Sequence, residues 1–240
     1  MTASTRSPDR AAGFTLIELG VVLFILTLLL GSLLVPLATQ VDRSNINATQ
    51  KNLDDIKEAL IGFAVANGRL PRPAVSATDG SERAAACGSG AAGEANCTGF
   101  IPWTALGVSK LDAWGKIFHY SVTPAFADAP FTLTSSGSKF VKTRYPPDPP
   151  GSLVNLATTV PAVVFSSGKN NWGTGDTGNL FSDSSTTNAD EDTNNAATIT
   201  FISRLITDKT TASGGEFDDI VTWLSVNILF NRMVSAGKLP

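Results

Sequence analysis

The chain has 240 residues, a formal net charge of −3 and 42% hydrophobic residues, enough for one ordinary domain with its own core. The small negative charge gives no indication of the basic face that nucleic-acid binding requires, so we predict no nucleic-acid binding. One histidine, two cysteines and the absence of C-x-x-C, nucleotide-loop and nucleophile motifs argue against a zinc site and against an enzyme.

The first distinctive stretch is a long uncharged run near the N terminus. Residues 19–41 contain no Asp, Glu, Lys, Arg or His. As a helix they would reach about 35 Å, enough to cross a hydrocarbon core of about 30 Å. We therefore predict a single membrane pass over residues 14–41. Arg6 and Arg10 precede it, so the N terminus is predicted to be cytoplasmic and the C-terminal domain external.

One acid, Glu18, lies at the start of this run. A carboxylate in a membrane helix costs about 2.5–3.5 kcal/mol at the bilayer centre and less near an interface, so Glu18 is expected to have a partner. Cleavage after Gly13 would create an ammonium on Phe14, from the same or a neighbouring chain, as its partner. The helix dipole also favours an acid in the first turns. A secretory signal peptide would have a shorter apolar core, and a simple anchor would explain the length but not Glu18.

The segment GFTLIELGVVLFILTLL resembles the cleavage and methylation segment of type IV pilins and type II secretion pseudopilins. The resemblance implies a leader of residues 1–13 and a prepilin peptidase that cuts between Gly13 and Phe14 and methylates the Phe14 amine. It implies that Glu18 pairs with that amine of an adjacent subunit. Sister subunits and an inner-membrane assembly platform are the implied partners, in a bacterial inner membrane with the C-terminal domain in the periplasm.

Residues 42–67 continue the helix with an amphipathic pattern. Apolar residues recur at three- and four-residue steps: Leu53, Ile56, Leu60, Phe63 and Ala64. Asn67 and Gly68 predict the helix end. Pro36 predicts a kink, because proline removes a backbone hydrogen bond. A helix over residues 14–67 would be about 80 Å long, so its N-terminal half needs lipid or sister helices around it.

Residues 68–240 are predicted to form the globular domain. The resemblance implies an α+β, pilin-like fold, in which a long N-terminal helix packs on a small antiparallel β-sheet, and the sequence adds a C-terminal helix. Cys87 and Cys97 enclose a short Gly- and Ala-rich segment, so an oxidising periplasm predicts a disulfide, with free thiols as the alternative.

Alternating or short apolar segments predict the strands, and a one-sided apolar pattern predicts the last helix. We expect a hairpin formed by strands 131–134 and 140–143. Three further strands are expected at 116–122, 162–166 and 197–202, and the helix is expected at 225–236. His119 falls on a predicted strand, and we expect a structural role for it because no catalytic partner is near. Residues 168–195 are rich in Gly, Asn, Asp, Ser and Thr, which is typical of a solvated loop.

Two further segments resemble major type II pseudopilins: D-A-W-G at 112–115 and GGEFDDIVTW at 214–223. That family binds calcium near the second segment. Calcium takes several oxygen ligands, so the hypothesis is a calcium site of Asp218 or Asp219 with loop oxygens. Two departures from the family pattern are the adjacency of these two acids and Phe217 in place of Gly.

The sequence therefore predicts a non-enzymatic, self-assembling subunit of a type II secretion pseudopilus that supports protein export across the outer membrane. A major or minor pilin of a type IV pilus, for adhesion, motility or DNA uptake, is the alternative within the resemblance. A membrane-anchored periplasmic binding protein or enzyme is the alternative from another class, and it would need no cleavage at Gly13.

Overall fold

The structure is a computed structural model that describes residues 13, 15–144 and 151–240; of residues 30–37 it describes the backbone alone. The chain divides into two compact units, Met1–Ser44 and Asn45–Pro240. The second unit contains the globular domain, and its core explains most of the local structure.

Six helices and nine strands are described in these ranges. The helices are α1 (Leu16–Asn67), α2 (Gly90–Asn96), α3 (Trp103–Leu106), α4 (Pro124–Ala127), α5 (Ala189–Asn195) and α6 (Val226–Ser235). The strands are β1 (Thr98–Phe100), β2 (His119–Val122), β3 (Lys139–Arg144), β4 (Leu153–Val160), β5 (Ala162–Ser166), β6 (Gly173–Thr174), β7 (Leu180–Phe181), β8 (Thr200–Ile202) and β9 (Ile220–Leu224).

The main sheet has four antiparallel strands in the order β1-β2-β5-β9. Strand β5 lies between β2 and β9, and all five of its residues are buried. A continuous apolar run suits a strand that is covered on both faces, which is why A-V-V-F-S takes this central place.

The second half of α1 covers one face of this sheet. Leu53, Ile56, Leu60 and Ala64 are fully buried and belong to the same core cluster as Phe118 and other residues of the sheet and loops. The spacing of these four residues places them on one helix face. Helix α1 ends at Asn67, and Gly68 has a φ of 74°, as the predicted stop requires.

Helix α6 closes the same core from the C-terminal end. Leu229 and Met233, four residues apart, are buried in the cluster that α1 lines, and Phe230 packs against it. Gly237 ends the helix with a φ of 67°. The α+β architecture, with a long N-terminal helix on an antiparallel sheet and an additional C-terminal helix, is therefore confirmed.

The predicted hairpin of 131–134 with 140–143 is wrong. Residues 131–134 form no strand, while β3 pairs antiparallel with β4 and parallel with β8. The resulting three-stranded sheet has the order β4-β3-β8. Strand β3 thus pairs with the strand that follows it, β4, and with the distant strand β8, whose pairing local turn chemistry does not reveal.

The polar stretch predicted as a solvated loop also contains regular structure. Strands β6 and β7 form a small hairpin, and α5 follows it. Asp190, Glu191 and Asn194 of α5 are buried, although the helix carries no apolar face. Their burial depends on polar partners elsewhere in the chain.

Candidate functional site

Thr15 and Glu18 close the start of α1 with reciprocal hydrogen bonds. Glu18 Oε2 accepts from the Thr15 backbone N–H at 2.9 Å and from its hydroxyl at 2.9 Å, and the Glu18 N–H donates to the Thr15 hydroxyl oxygen at 3.3 Å. A Thr followed three residues later by a Glu in this arrangement is a capping box. Gly13 lies just before it, whereas Phe14, the predicted methylation position, lies outside the described residues.

The first turns of α1 carry apolar side chains on all sides. The large ones that are described are between 47% and 90% exposed: Leu16, Ile17, Leu19, Val21, Val22, Leu23, Phe24, Ile25, Leu26, Leu28 and Leu29. A helix that is apolar all round normally has lipid or protein around it. These apolar side chains are therefore expected to be surrounded by lipid or by protein and not by water.

Within the described ranges, no helix is both long and apolar enough to cross a membrane. Helix α1 continues through position 36. The side chain of Pro36 lies outside the described residues, and the kink predicted there stays a prediction.

A second candidate site brings together the carboxylates of Glu191, Asp218 and Asp219, which offer oxygen atoms within 4.8 Å of one another. Glu191 comes from α5, whereas the two aspartates directly precede β9. The structure thus places both predicted acids in one cluster and adds Glu191. Its sequence neighbourhood, A-D-E-D-T-N-N, held no cue to this role besides its charge.

Backbone and amide N–H groups surround the cluster. Asp218 Oδ2 accepts from the N–H groups of Lys169 at 3.1 Å and Asn170 at 2.8 Å. Glu191 Oε1 accepts from the Asp218 N–H at 2.8 Å, and its Oε2 accepts from the amides of Asn171 at 3.1 Å and Asn188 at 3.0 Å. These donors partly offset the repulsion among the three carboxylates.

Gly168 gives the Asp218 carboxylate its room. The residue has a φ of 58°, and a Cβ there would lie 2.2 Å from Asp218 Oδ1. Both the backbone conformation and the close approach require glycine at this point. The loop that follows β5 is therefore shaped around the aspartate.

Burial raises the pKa of the two aspartates, Asp218 and Asp219. It raises the pKa of the Asp218 carboxyl to about 6, with the charge of Glu191 adding to the effect. Burial also raises the pKa of the Asp219 carboxyl well above its usual range, and the hydrogen bond from Asn194 at 2.8 Å opposes that rise. A nearby cation would favour the ionised forms.

The donor set fits a calcium ion only in part. Three carboxylates and two buried oxygens without a partner in the described ranges, Asp218 Oδ1 and Asn188 Oδ1, suit a hard cation. Calcium takes about six to eight oxygens, however, and the expected loop carbonyls at 167, 170 and 171 already accept hydrogen bonds from Lys116. Calcium binding at this cluster therefore stays a prediction.

The predicted disulfide between Cys87 and Cys97 is confirmed. Asp128 anchors the same segment, since its carboxylate accepts from the N–H groups of Cys87 at 2.9 Å and Gly88 at 3.0 Å and pairs with Arg72 at 2.8 Å. The disulfide thus closes the segment on itself, and Asp128 ties it to the rest of the domain.

His119 lies on β2, as predicted, and stacks on Phe165 with ring centroids 4.8 Å apart. Its Nε2 is buried and has no hydrogen-bond partner within the described part of the chain. Burial, and then the charge of Lys116, lowers the pKa of the imidazole to about 4. A neutral ring stacked in the sheet agrees with the expected structural role.

Comparison with known proteins gives one match, and it falls on the N-terminal segment. Residues 8–34 match the family described as the prokaryotic N-terminal methylation motif. The chain therefore carries the prepilin-type motif of type IV pilin-like proteins, which implies processing by prepilin peptidase and assembly with other pilin subunits. Neither a search of curated proteins nor a search of solved structures gave a match.

Proposed function

We propose that this chain is a structural, non-enzymatic subunit of a type II secretion pseudopilus. Prepilin peptidase cuts it between Gly13 and Phe14 and methylates the Phe14 amine. The segment 14–41 anchors it in the bacterial inner membrane with the C-terminal domain in the periplasm. An inner-membrane assembly platform then transfers the subunits from the bilayer into a filament that supports protein export.

The methylation motif at residues 8–34 is the observation that carries this proposal. The exposed apolar turns of α1 that follow the cleavage position give the filament its packing surface. Pairing of Glu18 with the Phe14 amine of the next subunit neutralises both charges, which lowers the cost of burying them among sister helices.

The two pseudopilin-like segments of the domain favour the secretion system over a pilus. They meet at Ser166, the last residue of β5: Asp112 of the D-A-W-G turn accepts a hydrogen bond from the Ser166 hydroxyl at 2.6 Å, and Ile220 is its partner in β9. The turn and the acidic segment thus form one structural unit beside the 168–171 loop. This arrangement supports the pseudopilin assignment because both resemblances concern the same corner of the domain.

A type IV pilus subunit is the second candidate, since the N-terminal motif serves both systems. The disulfide of Cys87 with Cys97 lies in the middle of the chain, whereas pilins often close a C-terminal loop with their cysteines. That difference weighs mildly against a major pilin.

The N-terminal peptide of the protein from native membranes tests the processing step. Mass spectrometry should find a terminus at methylated Phe14, and Gly13→Leu should retain the uncut leader because the peptidase needs a small residue before the cut. A wild-type terminus at Met1 or Thr2 in peptidase-positive cells would make the chain an ordinary anchor.

Deletion of the gene distinguishes the two filament systems. The secretion proposal expects exported proteins to accumulate in the periplasm while surface pili and twitching stay normal, with complementation restoring export. Loss of pili with unchanged export would assign the chain to a type IV pilus instead.

A further inference from the structure

A buried ammonium lies at the loop that follows β5. The Lys116 side chain is 4% exposed, and its Nζ donates to the carbonyl oxygens of Ser167 at 3.0 Å, Asn170 at 2.6 Å and Asn171 at 3.4 Å. An ammonium has three N–H donors, so these three carbonyls use all of them. A bound metal cation would be coordinated by converging backbone carbonyl oxygens of this kind, and here they bind the lysine ammonium.

The D-A-W-G turn fixes the backbone from which this side chain extends. Asp112 Oδ1 accepts from the N–H groups of Trp114 and Lys116, both at 2.9 Å. The next residue, Ile117, donates its N–H to the Thr174 carbonyl at 2.8 Å, which ties the turn to β6. The position of the ammonium is therefore set by the fold and does not depend on a flexible surface side chain.

Gly173 makes room for the lysine stem. Its φ is 150°, and a Cβ there would lie 2.5 Å from Lys116 Cδ. At the other end of the loop, Gly168 makes room for Asp218, as described above. The two glycines therefore admit a cationic side chain and an anionic one at opposite ends of the same six-residue loop.

The backbone N–H groups of this loop point to a negative side chain, and its backbone carbonyls point to a positive one. Its N–H groups at Lys169 and Asn170 donate to Asp218, while its carbonyls at 167, 170 and 171 accept from Lys116. Burial lowers the pKa of the Lys116 ammonium, and the negative charges of Asp218, Asp112, Asp219 and Glu191 oppose that shift. The loop, the lysine and the acids thus form one electrostatic unit.

We propose that Lys116 is the resident cation of this unit. Its ammonium takes the loop carbonyls that a divalent ion would need, so the 168–173 loop and the acid cluster keep their arrangement without metal. Removing the ammonium would free three carbonyl oxygens beside three carboxylates and convert the loop into a calcium-dependent one. Lys116 is in this sense a positioning residue that sets whether the domain requires calcium.

The test compares melting temperatures of the full chain, purified in detergent, in excess chelator and in millimolar calcium chloride. For the wild type we expect the two temperatures to agree within about 2 °C. Lys116→Met should melt at least about 5 °C lower in chelator and recover most of that loss in calcium, as a domain of this size shifts by about 2–4 °C per kcal/mol. Isothermal titration should show calcium binding that is stronger in Lys116→Met than in the wild type.

Lys139→Met is the matched control. Lys139 is also a fully buried lysine, but its ammonium pairs with Glu94 away from the loop. This variant should lose stability in both media equally, which measures the general cost of removing a buried ammonium.

Three outcomes would overturn the proposal. They are a wild type that depends strongly on calcium, a Lys116→Met protein that calcium does not rescue, and a Lys139→Met protein that calcium rescues as well. If Lys116→Met folds in neither medium, Lys116→Gln decides the matter: a calcium-induced gain of about 5 °C supports the proposal, and a gain below about 2 °C rejects it.

Discussion

The Glu18 carboxylate already has a partner within its own chain, because Thr15 donates two hydrogen bonds to it. Before any assembly, the Glu18 carboxylate is therefore already hydrogen-bonded to Thr15 at the start of the helix. In a filament, an ammonium from a neighbouring subunit would be a stronger, charge-assisted partner for the same oxygen atoms. The capping contacts of Glu18 and the role in assembly that we propose for it are thus separable.

Substitution can separate these roles. Glu18→Ala should be cut at Gly13 like the wild type but should fail to enter filaments, because the neighbour's ammonium then has no counter-charge. Thr15→Ala removes the hydroxyl of the capping box but keeps the carboxylate, so it should assemble. Immunoblots of processed protein and of sheared filament fractions measure the two steps. If Glu18→Ala and Thr15→Ala assembled equally poorly, the loss of the helix cap would explain both defects, and Glu18 would need no separate role in assembly.

His119 gives a second prediction at this scale, in the pH dependence of stability. Its pKa is about 4 in the folded protein against 6.5 for a free side chain, so the unfolded state binds the proton more readily between these values. The contribution of His119 to stability is therefore complete above about pH 6.5 and is lost as the pH falls toward 4.

His119→Phe keeps a ring for the stack on Phe165 and removes the titration. Urea unfolding at pH 7 and pH 4 should show that the wild type loses roughly 3 kcal/mol relative to this variant on acidification. The difference between the two proteins cancels the carboxylates that titrate in the same range. A difference that does not change with pH would contradict a depressed pKa of the imidazole.

At the scale of elements, sequence patterns were sufficient where an element buries its own apolar residues. Hydrophobic periodicity and the positions of proline and glycine were enough to predict three elements: the end of α1 at Asn67, strand β5 and helix α6. Helix α5 could not be found in this way, because what it buries is polar. Asp190 pairs with Arg144 at 2.6 Å and Arg204 at 2.7 Å, and both partners are distant in sequence.

The candidate site shows the same division. Asp218 and Asp219 could be named from the G-G-E-F-D-D-I segment, whereas Glu191 and Lys116 could not. Glu191 is brought in by the burial of α5 and Lys116 by a turn 50 residues before the loop it holds. A sequence shows which charges exist, but the pairing of distant charges depends on the tertiary fold.

The segment between Cys87 and Cys97 allows a prediction for an element. The disulfide closes a loop over a sequence separation of 10, so the chain-entropy estimate gives about 3 kcal/mol of stabilisation. Cys87→Ser with Cys97→Ser should lower the free energy of unfolding by up to that amount, and the contacts of Asp128 should retain the local structure. Urea titrations with and without reductant measure this. The reductant should affect the wild type alone.

At the scale of the whole molecule, the unit Asn45–Pro240 contains every residue of the main core cluster. The four fully buried apolar residues of α1 all follow Asn45, and each buried leucine or isoleucine among them contributes about 1.5–3 kcal/mol. We therefore expect the globular domain to need the second half of α1 but not the first.

A fragment of residues 45–240 should fold by itself and melt within about 3 °C of the full chain. A fragment of residues 68–240 is the control, and it should stay unfolded because Leu53, Ile56 and Leu60 no longer fill the core. Near-UV circular dichroism and thermal melts of both fragments, kept oxidised, check this. A folded 68–240 fragment would show that α1 is dispensable for the domain.

The position of β9 and α6 after the other core elements has a consequence for biogenesis. Strand β5 is paired on one side by β2 and on the other by β9, and Leu229 and Met233 complete the core. Before the last segment has been delivered, the nascent domain exposes an open apolar strand edge, which is a template for unwanted pairing. Folding of this core is thus held back until residues 220–233 have been delivered, and a chain that stalls before residue 220 should be recognised by chaperones and proteases.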